Sequence, residues 1–365
     1  MKKQTNVHVI IGTRPEAIKT APVFKALSEK PGLNTKLIST GQHRELLGQA
    51  LDAFGLKPDF DLQVMREGQT LSQLTSNLLK ALEELFAVDK PDLVLAHGDT
   101  TTCYAAALSA FYHGIPFFHL EAGLRTFRLD SPFPEEFNRQ CITGMSAHHF
   151  ATSEEARQNL LDDGVSAASI TVTGNTLFDA INQMNLESNV GVMTNSNFAK
   201  SVLLTLHRRA QGTASLKPVM DALKQVADQN LDTCFIFPVH PSPAVSKLAA
   251  EIFSSAPNIV LCPPLQYPEF LSLMAKSSLI LTDSGGVQEE AAYLGKNVLI
   301  LRDFSERNDG IDMGTTQIIG TDPAKIFAKT NEALANVSAK KVPQAFLAQS
   351  PSRIVADVVM ERCTA

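Results

Sequence analysis

The stretch PDLVLAHGDTTTCYAAALSAFYHG, residues 91–114, begins with the pattern of a buried strand and ends with that of an Ala-rich helix. The HGDTTT segment between them has two explanations. Asp99 or one of the threonines can cap the helix by accepting hydrogen bonds from its first N–H groups. Alternatively, Gly98 and Asp99 lie at a binding site, because open α/β sheets gather ligands at the carboxyl ends of their strands. The stretch by itself favours neither explanation.

The same alternation of strand and helix extends along the chain. Continuous runs of Val, Ile, Leu and Phe, such as VHVIIG and SVLLTL, are typical of parallel strands that are buried on both faces. The runs form two sets, separated by a polar segment rich in Asn, Gly and Ser. We therefore predict an α/β protein with two doubly wound Rossmann-like domains. Their expected bounds are 1–170, joined by a C-terminal helix over 351–365, and 171–350.

Composition limits the class of protein and of partner. The chain has 365 residues, enough for two cores, and a formal net charge of −6 with 19% charged residues. The basic residues are scattered, so we expect no nucleic-acid or membrane-surface partner and favour a small polar or phosphorylated substrate. The five cysteines are far apart, and no apolar run reaches membrane-spanning length. We expect a cytoplasmic protein.

Polar residues recur directly after the predicted strands. Capping or a solvated loop could explain each one separately, but their recurrence predicts that they line the facing rims of an interdomain cleft. The SPFPEEFNRQ segment adds Glu135 and Arg139. Asp99, Glu121 and Glu135 opposite His207 would form a general acid/base set. The spacing matches no local metal-binding motif, so we expect no metal. The residues after strands are Arg14, Glu16, Asp99, Glu121, His207, His240, Ser284 and Arg302.

The segment TDSGGVQEEAAYLGK predicts a diphosphate site. A strand ends at Ser284, and a helix opens at Gly285 and Gly286, where backbone N–H groups and the helix dipole can stabilise phosphate charge. We place Glu289 and Glu290 in the first turn of this helix, and a glutamate one turn further along could accept both ribose hydroxyls. The segment is neither a dinucleotide fingerprint nor a Walker A loop.

Taken together, these motifs resemble the non-hydrolysing UDP-N-acetylglucosamine 2-epimerases. GTRPEAIK, QHRE, HGDTTT, EAGLRT, SPFPEEFNR, TGNT, HRR, TDSGGVQEEA and RDFSER stand in that family's order over residues 8–320. The resemblance implies the GT-B arrangement with an interdomain active-site cleft. It also implies an isomerase without a cofactor, a UDP-sugar as substrate, a homodimer, and a role in cell-envelope polysaccharide supply. The reaction would be reversible epimerisation at C2, through UDP elimination to a 2-acetamidoglucal and re-addition.

The resemblance also assigns roles to individual residues. Asp99, Glu121, Glu135 and His207 would be catalytic. The residues that would bind the substrate are Arg14, Lys19, Arg139, Leu265, Phe270, Ser284, Gly285, Gly286, Glu290 and Arg307. A second UDP-GlcNAc would bind an allosteric site that includes Gln42, His43 and Gln69.

The chain departs from the family pattern beside two of these residues. Ala210 and Gln211 follow the HRR motif, where the family usually has glutamate and then asparagine or serine. Asn308 and Asp309 follow Arg307, where the family usually has proline and glutamate. A modified UDP-GlcNAc derivative is therefore an alternative substrate, with neutral drift in an outer loop as the plainer explanation. A GT-B glycosyltransferase and a non-catalytic UDP-sugar sensor are the other classes that share the nucleotide motif.

Overall fold

A computed structural model gives the fold of the chain. It describes residues 4–41, 44–66, 68–184, 186, 198–206, 212–239, 242–303, 314–336 and 349–364. The chain divides into two compact units: Met1–Gln183 together with Ala348–Ala365, and Met184–Leu347. Each unit is built around its own parallel sheet.

Strands and helices alternate in the first unit. In chain order they are β1 (Thr5–Ile11), α1 (Arg14–Ser28), β2 (Leu33–Ser39), α2 (Arg44–Ala53), β3 (Phe60–Asp61), α3 (Leu71–Val88), β4 (Leu93–His97), α4 (Thr101–Tyr112), β5 (Phe117–Ala122), α5 (Glu135–Met145), β6 (His148–Ala151), α6 (Glu154–Asp162), β7 (Ile170–Val172) and α7 (Leu177–Asn182). A last helix, α13 (Pro351–Thr364), follows the second unit in the chain.

The first sheet has the strand order β3-β2-β1-β4-β5-β6-β7, with every neighbouring pair parallel. Its central strands are almost wholly inaccessible, because helices cover both faces and the Val, Ile and Leu side chains pack on each side. The strand order reverses between β1 and β4, where residue pairs run from Val7 and Leu93 to Ile10 and Ala96. Ligands of open α/β sheets bind outside the carboxyl ends of the strands at such a reversal.

The boundary between the units differs from the sequence prediction, which ended the first domain at residue 170. β7 pairs with β6, and α7 contacts both α1 and α13, so both elements belong to the first unit. The Ser350 hydroxyl and the Ser352 N–H donate to Asp179 of α7 at 2.9 and 2.7 Å. These contacts hold the start of α13 against the first unit. The sequence could not reveal them, because they join residues far apart in the chain.

The second unit repeats the same plan. Its elements are β8 (Lys200–Thr205), α8 (Gly212–Gln229), β9 (Thr233–Pro238), α9 (Pro243–Phe253), β10 (Ile259–Cys262), α10 (Tyr267–Lys276), β11 (Leu279–Thr282), α11 (Gly285–Tyr293), β12 (Val298–Ile300), β13 (Thr316–Ile318) and α12 (Pro323–Ala335). The parallel strand order is β10-β9-β8-β11-β12-β13, with the reversal between β8 and β11. Both predicted doubly wound sheets are therefore present. No helix among the described residues is both long and apolar enough to cross a membrane.

Candidate functional site

In the first unit, polar side chains lie at or just past the ends of β1, β4 and β5, on either side of the reversal in strand order. Arg14 begins α1 directly after β1, and Asp99 lies in the short turn between β4 and α4. Glu121 lies within β5, one residue before the strand ends. Because all three strands are parallel, the three residues lie at one edge of the sheet.

The turn after β4 answers the question raised by HGDTTT. Thr100 caps α4, because its hydroxyl oxygen accepts from the Cys103 N–H at 3.1 Å. Asp99 has another partner: its carboxylate accepts a hydrogen bond from the Arg139 guanidinium of α5. The Asp99 side chain is 19% exposed and that of Arg139 only 4%. The cap and the candidate catalytic carboxylate are therefore neighbouring residues with separate tasks.

Glu121 is the more enclosed of the two carboxylates. Its Oε2 atom accepts a hydrogen bond from the Lys19 ammonium and lies 3.4 Å from His97 Nε2. All three side chains are at most 7% exposed. Glu121 has a backbone φ of 59°, which a side chain disfavours and which is found preferentially at functional sites. The observed strain and the buried cation mark Glu121 as the centre of this part of the site.

The first turn of α5 carries two glutamates with different surroundings. Glu135 begins the helix, is partly exposed, and stands one turn before Arg139. Glu136 is fully buried and accepts hydrogen bonds from the N–H groups of Thr126 and Phe127 at 3.0 and 3.1 Å. Burial alone would raise the pKa of Glu136, but these bonds and its other polar partners lower it overall. Glu136 therefore anchors the preceding loop.

The candidate nucleotide site in the second unit begins at the end of β11. Helix α11 starts at Gly285, and Ser284, Gly285 and Gly286 are all partly or fully exposed. The Ser284 N–H donates to the Thr282 hydroxyl at 3.0 Å. Helix α11 begins at Gly285, so four residues precede Glu289 and five precede Glu290. Both glutamates are buried and lie in the second turn, and the predicted first-turn position was wrong.

Two apolar residues of the second unit were also predicted to hold substrate. Leu265 precedes α10, and Phe270 lies within it. Both are partly buried and pack against a core that includes Met274 and Val287. Their exposed portions remain available for contact. Among the described residues there is no group of three His, Cys, Asp or Glu side chains that could hold a metal ion.

Comparison with known proteins decides the family. The sequence profile of the UDP-N-acetylglucosamine 2-epimerase family matches residues 25–359. The UDP-N-acetylglucosamine 2-epimerase of Bacillus subtilis is 44% identical over 345 residues, which are 94% of this chain and 91% of that protein. The chain belongs to the UDP-N-acetylglucosamine 2-epimerase family.

Solved structures of this epimerase family agree in fold. The UDP-GlcNAc 2-epimerase from Neisseria meningitidis, crystallised with UDP-GlcNAc, superposes with a TM-score of 0.87 at 36% identity, covering 98% of this chain and 100% of that one. The Methanocaldococcus jannaschii enzyme, in complex with UDP-GlcNAc and UDP, gives 0.84 at 31% identity with the same coverage. The predicted GT-B-type α/β class is confirmed by these structures.

Several residues expected from the epimerase resemblance lie outside the described residues. They are Gln42, His43, His207, Arg307 and the divergent positions Ala210, Gln211, Asn308 and Asp309. Gln69 is described: it precedes α3, where its Nε2 donates to Met65 Sδ at 2.8 Å. The allosteric assignment of Gln69 stays a prediction.

Two residues near the candidate epimerase site were missed by the sequence analysis. His97 contacts Glu121, and Asn138 Nδ2 donates to the Asp99 carbonyl oxygen at 2.8 Å. His97 had one available signal, since it is a polar residue at the end of an otherwise apolar strand and directly precedes Gly98. Asn138 had none, because its contact depends on how α5 packs against the turn after β4.

Two other histidines of the first sheet, His119 and His148, are structural. His119 Nε2 donates to the Gly98 carbonyl oxygen at 2.7 Å, and burial lowers the pKa of His119 to about 3, so the imidazole stays neutral. His148 bonds to the Thr171 hydroxyl at 2.9 Å, and burial lowers its pKa to about 4. Neither side chain is suited to take up a proton near neutral pH.

Proposed function

We propose that this chain catalyses the reversible epimerisation of UDP-N-acetylglucosamine at C2 to give UDP-N-acetylmannosamine. The observation that carries the proposal is the pair of carboxylates Asp99 and Glu121 at the same edge of neighbouring strands, each beside a buried cation. Family membership narrows the substrate, because solved relatives were crystallised with UDP-GlcNAc. The carboxylates supply the acid/base chemistry that epimerisation requires.

The chemistry explains why the site needs both carboxylates and a phosphate-binding helix. The C2 proton of the sugar has no adjacent carbonyl and is only weakly acidic. As the C1–O bond breaks, its electron pair leaves with UDP, and the positive charge that develops at C1 acidifies the C2 proton. A base then removes that proton, and the C–H electron pair forms the double bond of a 2-acetamidoglucal. Protonation of C2 from the opposite face and re-addition of UDP at C1 complete the reaction without net oxidation.

Removal and return of the C2 proton on opposite faces require two acid/base groups. Asp99 and Glu121 meet this need, since Asp99 lies in the turn after β4, Glu121 lies in β5, and different cations, Arg139 and Lys19, orient them. Preorganised partners of this kind keep the carboxylates in one geometry through the cycle. By resemblance, Glu135 and His207 complete the set.

The second unit would bind the departing nucleotide. The backbone N–H groups at Gly285 and Gly286 open α11, and a helix N-terminus stabilises the negative charge that builds on the diphosphate as the C1–O bond breaks. Glu290, one turn further along, is a suitable acceptor for ribose hydroxyls. A UDP held in this way remains in place for re-addition, which keeps the glycal from being lost.

An NMR time course of UDP-GlcNAc with the protein in D2O tests the proposal. We expect UDP-ManNAc to appear and deuterium to enter C2 of both sugars, since the abstracted proton exchanges with solvent. Transfer of the sugar to an acceptor would instead indicate a GT-B glycosyltransferase. Binding without turnover would indicate a UDP-sugar sensor, and faster turnover of a ring-modified UDP-GlcNAc would indicate the alternative substrate.

We also infer a homodimer, which would use the exposed aromatic face of α4 and α5. Tyr104 and Phe111 lie two helical turns apart on α4, so they share a face, and the Tyr104 ring packs against Phe137 with centroids 6.3 Å apart. Phe111 is 60% exposed and Phe137 47%. Exposed aromatic side chains of this kind are enriched at protein interfaces.

The free thiols of all five cysteines are consistent with a cytoplasmic enzyme.

A further inference from the structure

Glu16 is a buried carboxylate that the mechanism above does not use. Its residue is only 2% exposed, yet it sits between two loops of the candidate site. Glu16 Oε2 accepts from the N–H groups of Gly12 and Thr13 at 2.9 and 2.6 Å, in the loop that leads to Arg14. Glu16 Oε1 accepts from the Thr100 hydroxyl at 2.6 Å, in the turn that carries Asp99. One side chain therefore joins the two loops.

Helix capping explains only half of this arrangement. Glu16 is the third residue of α1, and a glutamate or glutamine there caps the helix by bonding back to the preceding backbone N–H groups. The first unit contains a matched example: Gln73, the third residue of α3, accepts from the Thr70 N–H at 2.9 Å. A neutral amide on the surface is sufficient for that cap. The bond to Thr100 is an additional function of Glu16.

The carboxylate is suited to this additional bond because both of its oxygens accept. A glutamine could cap α1 with its single oxygen, but its N–H group would have to donate to the Thr100 oxygen, which already accepts from Cys103, and the hydroxyl hydrogen would lose its present acceptor. Burial raises the pKa of Glu16, while the hydrogen bonds from Thr100, Gly12 and Thr13 act in the opposite direction. Burying a carboxylate is unfavourable in itself, so its presence here calls for a role that the amide could not fill.

Thr100 is well placed to transmit the constraint to Asp99. Its hydroxyl donates to Glu16 and also accepts from the Cys103 N–H, so two hydrogen bonds fix the orientation of the side chain. The rest of the turn is held from other directions. His119 of β5 donates to the Gly98 carbonyl oxygen, and Asn138 of α5 donates to that of Asp99. Glu16 supplies the corresponding constraint from α1.

The approach of the two loops is also close. A Cβ atom on Gly12 would lie 2.2 Å from Thr102 Oγ1 and 2.6 Å from Thr40 Oγ1, distances that no side chain tolerates. The loop after β1 therefore packs directly on the first turn of α4. In such tight packing, a small change in one loop displaces the other.

We propose that Glu16 is a positioning residue that couples the Arg14 loop to Asp99 through the Thr100 hydroxyl. The proposal rests on the proposed epimerase function and extends it. Glu16 itself would not touch the sugar. Its loss would let the Asp99 turn move relative to Arg14, and displacements of about 1 Å at a catalytic group lower rates by roughly 100-fold.

The test uses the full chain, four single variants and one double variant. In Glu16→Gln and Thr100→Val we expect kcat to fall by roughly 10- to 100-fold, with KM changed less, because the displaced carboxylate acts on the transition state more than on binding. Thr100→Ser, which keeps the hydroxyl, should recover most of the loss seen in Thr100→Val. Gln73→Ala removes the equivalent cap from α3 and should lower the melting temperature while leaving kcat unchanged.

The double variant Glu16→Gln/Thr100→Val makes the coupling measurable. If both residues act through one hydrogen bond, the double variant should have the same kcat as the less active of the two single variants. If the two residues act independently, the fold-losses in kcat of the single variants should multiply. Multiplying losses would overturn the proposal, and so would a Glu16→Gln variant with wild-type kcat and only the destabilisation of Gln73→Ala. If Glu16→Gln does not fold, equal kcat in Thr100→Val and Thr100→Ser would overturn it. Absence of epimerisation in the wild-type protein would instead reject the proposed function, and this role with it.

Discussion

Replacing Glu121 by glutamine separates its chemical role from its structural one. The substitution keeps the shape of the side chain but removes its charge, beside a Lys19 side chain that is 7% exposed. Hydrogen bonds to charged groups contribute about 1.5–3 kcal/mol, so we expect a loss of about 2 kcal/mol of unfolding free energy. For a unit of this size, that corresponds to a fall in melting temperature of roughly 4–8 °C. As a positioned acid/base group, Glu121 should also contribute about 10²-fold or more to kcat.

Lys19→Met provides the matched variant for this experiment. It removes the buried ammonium that Glu121 contacts, so Lys19→Met/Glu121→Gln should recover much of the lost stability, because no buried charge remains in the pair. The activity should not recover, since the acid/base group is still absent. Melting temperature by calorimetry and turnover by NMR distinguish the two effects. Turnover of Glu121→Gln within about threefold of wild type would refute the catalytic assignment. Recovery of activity in Lys19→Met/Glu121→Gln would show that Glu121 acts only as the partner of Lys19.

Three further predictions concern the nucleotide, acid stability and assembly. Glu290→Ala should weaken UDP binding measured by calorimetry, because it removes the proposed ribose acceptor; unchanged affinity would place the nucleotide elsewhere. The pKa of Glu136 in the folded protein lies below its ordinary value of 4.5. Ionised Glu136 therefore stabilises the fold above pH 4.5, and this stabilisation is lost as the pH falls through the folded-state pKa. Glu136→Gln should therefore melt earlier than wild type at pH 7, with the difference shrinking below pH 4; a constant difference would contradict this. Phe111→Glu should convert the dimer to monomer in light scattering, whereas a monomeric wild type would exclude the homodimer.

The sequence predicted those features that depend on periodicity and on the ends of strands. Runs such as VHVIIG and SVLLTL identify buried parallel strands, and they form β1 of the first sheet and β8 of the second. Asp99 and Arg14 follow their strands as expected, because the carboxyl ends of parallel strands share one edge. The end of the first domain was misplaced because the polar segment around residue 171 reads as a linker. Its short strand β7 is recognisable only by its pairing with β6.

The partners of the carboxylates lay beyond sequence analysis for a physical reason. Lys19 reaches Glu121 because α1 returns along the sheet, and Arg139 reaches Asp99 because α5 packs beside the turn after β4. Neither contact follows a local spacing rule, since helix and strand rules specify neighbours within one element. The carboxylates can be found from their position at strand ends, whereas the residues that orient them must be read from the packing. For that reason, the role of Glu16 can be recognised only from the contacts of its two oxygens. One oxygen caps α1, and the other accepts from the Thr100 hydroxyl.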